Sequence, residues 1–194
     1  KPLIGYCLEA LKRAGVSQSI VNVHYLAPLL VEWLSKQTGM EIGISDETPE
    51  LLDSGGGIVK ALPLLGTEPF LVLNADTFWL EEPGSETENL TRMKDCFDPE
   101  SMDILLMTAR LDQATGHTGA GDFTLGEGGR LARYNGAGDP VIYAGAIVLF
   151  RSHYGTEIFP QPLFRYGRKP GPAVWHADAG PLADRWHTRS HRRG

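Results

Sequence analysis

Leu51-Leu52-Asp53-Ser54-Gly55-Gly56-Gly57-Ile58-Val59-Lys60-Ala61-Leu62-Pro63-Leu64-Leu65, followed after a short turn by Phe70-Leu71-Val72-Leu73-Asn74-Ala75-Asp76-Thr77, is the stretch that decides how this chain reads. The first segment predicts a glycine-rich turn opening a helix over Ile58–Leu65. The second predicts a buried strand, Phe70–Leu73, that ends in a carboxylate. Consecutive glycines let backbone N–H groups approach a flat or anionic ligand with no Cβ in the way. A helix N-terminus just behind them favours negative charge. An aspartate at the carboxyl end of an apolar strand sits where open α/β sheets place ligands and metals. Together the two segments point to a nucleotide and a metal.

Outward from this centre, helical and strand-like apolar periods alternate. Leu3–Ala14 reads as a helix closed by Gly15, Ser19–Val23 as a strand and Pro28–Gln37 as a helix. Glu41–Ser45 reads as a strand, Asn89–Cys96 as a helix and Met102–Ala109 as a strand. Asp122–Leu125 and Arg130–Tyr134, joined by Gly126-Glu127-Gly128-Gly129, read as a hairpin, and Tyr143–Phe150 as a final strand. The expected fold class is α/β: a three-layer, Rossmann-like domain with a mixed, mostly parallel sheet.

Composition narrows the function. The chain has 194 residues, 42% of them apolar, which suits one domain with a real core. No run of apolar residues is long enough to span a membrane, and no signal peptide is legible at Lys1-Pro2-Leu3-Ile4-Gly5. Cys7 and Cys96 lack metal-ligand spacing and read as two reduced thiols of a cytoplasmic protein. Residues 1–164 carry 22 acidic against 11 basic side chains, whereas residues 165–194 carry 2 against 7. An acidic body argues against nucleic acid as a partner, and no membrane partner is expected.

At this point the chain resembles a known family. LLDSGGGIVKALPLLG followed by FLVLNADTFW, together with IVNVHYLA at Ile20–Ala27, is similar to the sugar-1-phosphate nucleotidyltransferases. The short branch, with N-acetylmuramate-1-phosphate uridylyltransferase and mannose-1-phosphate guanylyltransferase-like proteins, fits best. The resemblance runs from Lys1 to about Phe164. It implies transfer of a nucleoside monophosphate from an NTP (UTP, GTP or dTTP) to a sugar 1-phosphate, with release of pyrophosphate. It assigns Mg²⁺ to Asp76, a hard oxygen ligand, and a phosphate contact to Lys1, these two forming the catalytic set. Ser54, Gly55, Gly56 and Gly57 resemble the loop that reads the base through backbone groups, and no Gly-Lys-Ser/Thr follows that would make it a P-loop. Asn22 and His24 fall near the base pocket, and Asp122 and Gly145 at sugar-side positions. Bland readings stand beside these: Asp76 capping the next turn, the glycines as a tight loop before a helix, Glu50 and Asp53 as caps, and Asp122 and Gly145 as hairpin and strand geometry. A non-catalytic nucleotide-sugar binding domain and an inactive fragment of the enzyme are the alternative functions.

Both ends depart from the family pattern. The family has a first strand and a glycine-rich phosphate loop ahead of a Pro-Lys pair, and this sequence opens at the lysine. Residues 165–194 form an atypical basic tail in place of a helix, a strand and a Trp-x-x-Val-Gly-Thr-Pro turn. Read one base along, with synonymous codons chosen to suit, the tail yields a W-L-T-V-G-T-P ending. Trp186 before His187 forces the glycine in that reading, so a frameshifted tail is expected. The oligomeric state is not legible.

Overall fold

The computed structural model describes residues 1–81 and 85–150 with their side chains, and the backbone of Val174–Asp178. The chain forms two compact units, one built on Lys1–Leu71 and the other on Val72–Val148.

In the first unit, α1 (Ile4–Arg13) buries Cys7, Leu8 and Ala10 on one side. It ends as its sequence demands: Gly15 takes φ 74, its N–H bonds Lys12 O (3.0 Å), and Val16 N–H bonds Leu11 O (2.9 Å). That closure satisfies carbonyls a helix end otherwise leaves open, and glycine adopts the left-handed turn without a Cβ penalty. β1 (Gln18–Val23), α2 (Ala27–Leu34) and β2 (Glu41–Asp46) form a β-α-β unit, with β1 and β2 parallel from Gln18↔Glu41 to Val23↔Asp46. Pro28 stands in the first turn of α2, where its missing N–H costs nothing. α3 follows at Ser54–Ala61, and Pro63 turns its end into a single 3-10 turn over Leu62–Leu64.

α3 corrects the boundary expected from the sequence. Helix was expected from Ile58, with the glycines ahead of it as a turn, but helix begins at Ser54 and takes in all three. Glycine is a poor helix former by about 1 kcal/mol per residue, so local propensity alone misplaces the start. Asp53 decides it. Its backbone is extended (φ −70, ψ 174) and its carboxylate accepts the Gly56 N–H at 2.6 Å, which makes it an N-cap.

β3 (Phe70–Leu73) leads into the second unit, which holds α4 (Asn89–Cys96), β4 (Ile104–Arg110), β5 (Phe123–Leu125), β6 (Leu131–Arg133) and β7 (Pro140–Leu149). Leu90 and Met93 of α4 and Leu105 and Met107 of β4 are each at most 1% exposed and, with Phe123, belong to the buried core of this unit. Strand order is β6-β5-β7-β4-β8, where β8 is Val174–Asp178, with β3 also paired to β7. β5 runs antiparallel to both β6 and β7, so the expected hairpin is present.

Two further departures matter. A single mixed, mostly parallel sheet was expected; the larger sheet is indeed mixed, but among the described residues β1 and β2 pair only with each other and do not join it. Within the stretch read as a tail without apolar period, β8 (Val174–Asp178) pairs in parallel with β4 from Ile104↔Val174 to Thr108↔Asp178. Val174 and Trp175 are strand formers, and five residues suffice for such a pairing. The remainder of the tail lies outside the described residues.

Candidate functional site

In the first unit the site residues gather where β1, β2 and α3 begin or end. Asn22 lies one residue before the end of β1, opposite Ser45 of β2. Glu47 follows β2 directly, and its N–H bonds Val23 O at 2.8 Å. The Glu47 side chain turns inward and is 6% exposed. One oxygen accepts from the Asn22 amide nitrogen and the other from Leu52 N–H at 3.3 Å. The same Asn22 nitrogen donates to Gly57 O at 3.0 Å. A methyl group on Gly57 would lie 2.8 Å from Glu47 Oε1 and 2.9 Å from Asn22 Nδ2. Glycine here lets the first turn of α3 approach the two strand ends. Lys60, in the last turn of α3, donates to Asp46 O. The Thr48 backbone N–H, with its side chain, holds the exposed Asp46 carboxyl below its usual range.

This geometry sorts the predicted base loop. Gly56 N–H is committed to Asp53 and Gly57 N–H to Asp53 O. The helix places Ser54 and Gly55 in its first two positions, where N–H groups have no carbonyl one turn back. These two are the backbone donors that α3 offers a ligand. Asp53 is thus a cap, which resolves one alternative left open by the sequence. Lys1, the expected phosphate lysine, has its ammonium paired with Glu9 and stacked 4.1 Å from the Tyr6 ring centre. The pair holds the exposed Glu9 carboxyl low.

In the second unit Asp76 follows β3 in a tight turn closed by Thr77 N–H to Asn74 O at 3.4 Å. It is exposed, and Thr77 Oγ1 donates to its Oδ1 at 3.4 Å. The turn is fastened to β7 at three points. Asn74 N–H bonds Gly145 O at 2.8 Å, the Trp79 indole N–H bonds Ala144 O, and Thr77 lies directly over Gly145. Gly145 has φ 82, and a methyl there would lie 2.9 Å from Thr77 Cβ and 3.0 Å from its Oγ1. The expectation for Gly145 was a close approach by a sugar ring. The close approach in the structure is made by Thr77, which occupies that space. Asp122 Oδ2 accepts the Tyr143 N–H at 2.8 Å, so one carboxylate oxygen is spent on fixing β7. Burial raises the Tyr143 hydroxyl pKa well above 10.0.

Among the described residues no three His, Cys, Asp or Glu side chains gather as a metal-holding group. Asp76 contributes one carboxylate. That suits Mg²⁺, which takes one or two carboxylates and fills its octahedron with water and substrate phosphate oxygens. Sequence reasoning missed Glu47, Thr77 and Trp79. Glu47 stands in the acidic run Asp46-Glu47-Thr48-Pro49-Glu50, which reads as a solvated loop, and the other two act through β7, distant in sequence.

No family model matches the chain. It is similar to N-acetylmuramate alpha-1-phosphate uridylyltransferase of Caulobacter vibrioides, with 38% identity over 151 residues, 75% of this chain and 61% of that protein. It is also similar to mannose-1-phosphate guanyltransferase beta-B of Xenopus laevis, with 36% identity over 89 residues, 39% of this chain and 24% of that protein. Among solved structures, the inositol-1-phosphate CTP transferase from T. maritima superposes with a TM-score of 0.66 at 17% identity, covering 92% of this chain and 73% of that one. The resemblance read from the sequence thus holds for the relatives, and the structural likeness shows the fold. The chain spans less than two thirds of the length of these curated relatives. Among the described residues no helix is long and apolar enough to cross a membrane.

Proposed function

We propose that this chain carries the catalytic domain of a sugar-1-phosphate nucleotidyltransferase, which joins a nucleoside monophosphate from an NTP to a sugar 1-phosphate and releases pyrophosphate. The observation that carries the reading is 38% identity over 151 residues to a uridylyltransferase, in a chain whose two signature segments form a capped helix start and a strand-end carboxylate. UTP is the nucleotide this relative favours, and N-acetylmuramate 1-phosphate the acceptor.

In this reaction the sugar phosphate oxygen attacks the α-phosphorus in line, and the protein supplies positioning and charge neutralisation rather than a covalent nucleophile. Ser54 and Gly55 offer N–H donors to the base, and Asp122 would accept a bond from a sugar hydroxyl. Asp76 would hold Mg²⁺, which when bound neutralises charge on the phosphates. Thr77, Asn74 and Trp79 fix the Asp76 turn to β7, so the carboxylate is held before any ligand arrives. Lys1 would contact a phosphate by releasing Glu9, an exposed pair of the kind that costs little to break.

The test is pyrophosphate release by the full-length protein carrying this chain, with Mg²⁺, UTP and N-acetylmuramate 1-phosphate, then with GTP, CTP and dTTP and other sugar 1-phosphates. Release that needs both substrates supports the reading. Absence of release with every pair refutes it.

A further inference from the structure

Glu47 is a buried carboxylate whose oxygens accept from neutral donors, the Asn22 amide and the Leu52 N–H. A carboxylate and a carbonyl both accept only. Asn22 therefore turns its nitrogen toward Glu47 Oε1 and Gly57 O, and both amide hydrogens are committed. Exchanging the amide oxygen for the nitrogen would set lone pairs against lone pairs at both contacts. The orientation of an asparagine amide, ordinarily ambiguous, is dictated here by its partners. Among the described residues, the polar atom Asn22 has left is Oδ1, on a residue that is exposed as a whole. The absent Cβ of Gly57 is a condition of the arrangement, because a methyl group would displace both partners.

We infer that Glu47 is a positioning residue for base selection: it locks Asn22 with Oδ1 outward, a fixed acceptor for a nucleobase N–H. The inference rests on the nucleotidyltransferase reading above and goes beyond it by saying which bases the first unit refuses. Uracil presents an N–H at N3, whereas cytosine presents a bare lone pair at the same ring position. An acceptor that cannot rotate takes the first and repels the second. An amide free to rotate would serve either. Guanine also offers a ring N–H, so this contact does not exclude it.

The experiment is calorimetric titration of the full-length protein with UTP and with CTP, for the parent, Glu47→Gln and Asn22→Ala. The parent is expected to prefer UTP by about tenfold or more, because cytosine would cover the Asn22 oxygen and leave it unpaired. A glutamine side chain satisfies Leu52 or Asn22 but not both, so Glu47→Gln frees the amide and the UTP:CTP ratio falls toward one. Asn22→Ala should do the same. Exchange of the Asn22 side-chain amide protons, followed by NMR without nucleotide, should be slow in the parent and fast in Glu47→Gln. A folded Glu47→Gln protein with a freed amide and an unchanged ratio overturns the inference. Should Glu47→Gln fail to fold, an unchanged ratio in Asn22→Ala overturns it. A parent that releases pyrophosphate yet binds UTP and CTP equally overturns this inference alone. A parent that binds neither refutes the nucleotidyltransferase reading and this one with it.

Discussion

Gly145→Ala tests the fastening of the Asp76 turn to β7. The substitution brings two separable costs. An L-residue held in the left-handed region costs about 1–2 kcal/mol, and Gly145 has φ 82. The new methyl would also meet three atoms of Thr77, at 2.9 Å (Cβ), 3.0 Å (Oγ1) and 3.1 Å (Cγ2). Forcing extra carbon into such a contact costs roughly 1–3 kcal/mol. The expected loss is therefore about 3 kcal/mol, a large part of the usual margin of about 5–15 kcal/mol. Urea unfolding followed by circular dichroism measures it as a fall in midpoint at constant slope. A cycle with Thr77→Gly separates the two costs, since removing that side chain relieves the collision and leaves the backbone strain. The double variant should be more stable than additivity predicts by about 1–3 kcal/mol. A loss below about 1 kcal/mol for Gly145→Ala, or additivity within about 0.5 kcal/mol, would show that Gly145 is not needed to seat Thr77.

Asp76→Ala should abolish pyrophosphate release while weakening nucleotide binding much less, because a metal ligand acts chiefly on charge developing in the transition state; near-normal turnover would remove Asp76 from the metal site. Asp53→Ala should cost about 1 kcal/mol in urea unfolding by leaving the Gly56 N–H uncapped, and Asp53→Asn should recover most of it; no loss from the alanine variant would show that the cap is not used. Tyr143 is an acid whose pKa is raised by burial in the folded chain. Its stabilising contribution is complete below its unfolded value, near 10.0, and is lost as pH rises beyond that, with a slope of up to about 1.4 kcal/mol per pH unit. Tyr143→Phe should flatten the alkaline fall in stability above pH 10, and an unaltered slope would place that fall on other groups.

The parts of the fold that were legible are those decided locally. Asn89–Cys96 is helical over the range its apolar spacing indicates, with Leu90 and Met93 in the core, and Gly15 closes α1 as a C-terminal glycine should. What escaped the sequence is set by partners far along the chain. The glycines at 55–57 read as a turn because their propensity says so, yet Asp53, Asn22 and Glu47 make them the first turn of α3. β7 begins at Pro140 rather than at the expected Tyr143, because Asp122 and β5 pair with its start. At the candidate site Asp76 and the glycine run were visible as residue types. Glu47, Thr77 and Trp79 were not, since a buried carboxylate in an acidic stretch and a threonine over a glycine leave no local trace.

The fastening of Asp76 has a consequence for how the chain acquires its site as it is made. The Asn22–Glu47–Gly57 contacts close within 35 residues, around a β-α-β unit whose strands pair across a single helix. The Asn74–Gly145 bond joins residues 71 apart, and until β7 exists the three fastenings to it cannot hold the Asp76 turn. Long loops are closed late and slowly, and synthesis delivers the N-terminal part first. The Asn22–Glu47–Gly57 cluster is thus assembled while the Asp76 turn is still open chain. On a stalled ribosome exposing residues 1–110, protection from proteolysis should already cover Asn22 to Ala61 and should leave the Asp76 turn cleavable.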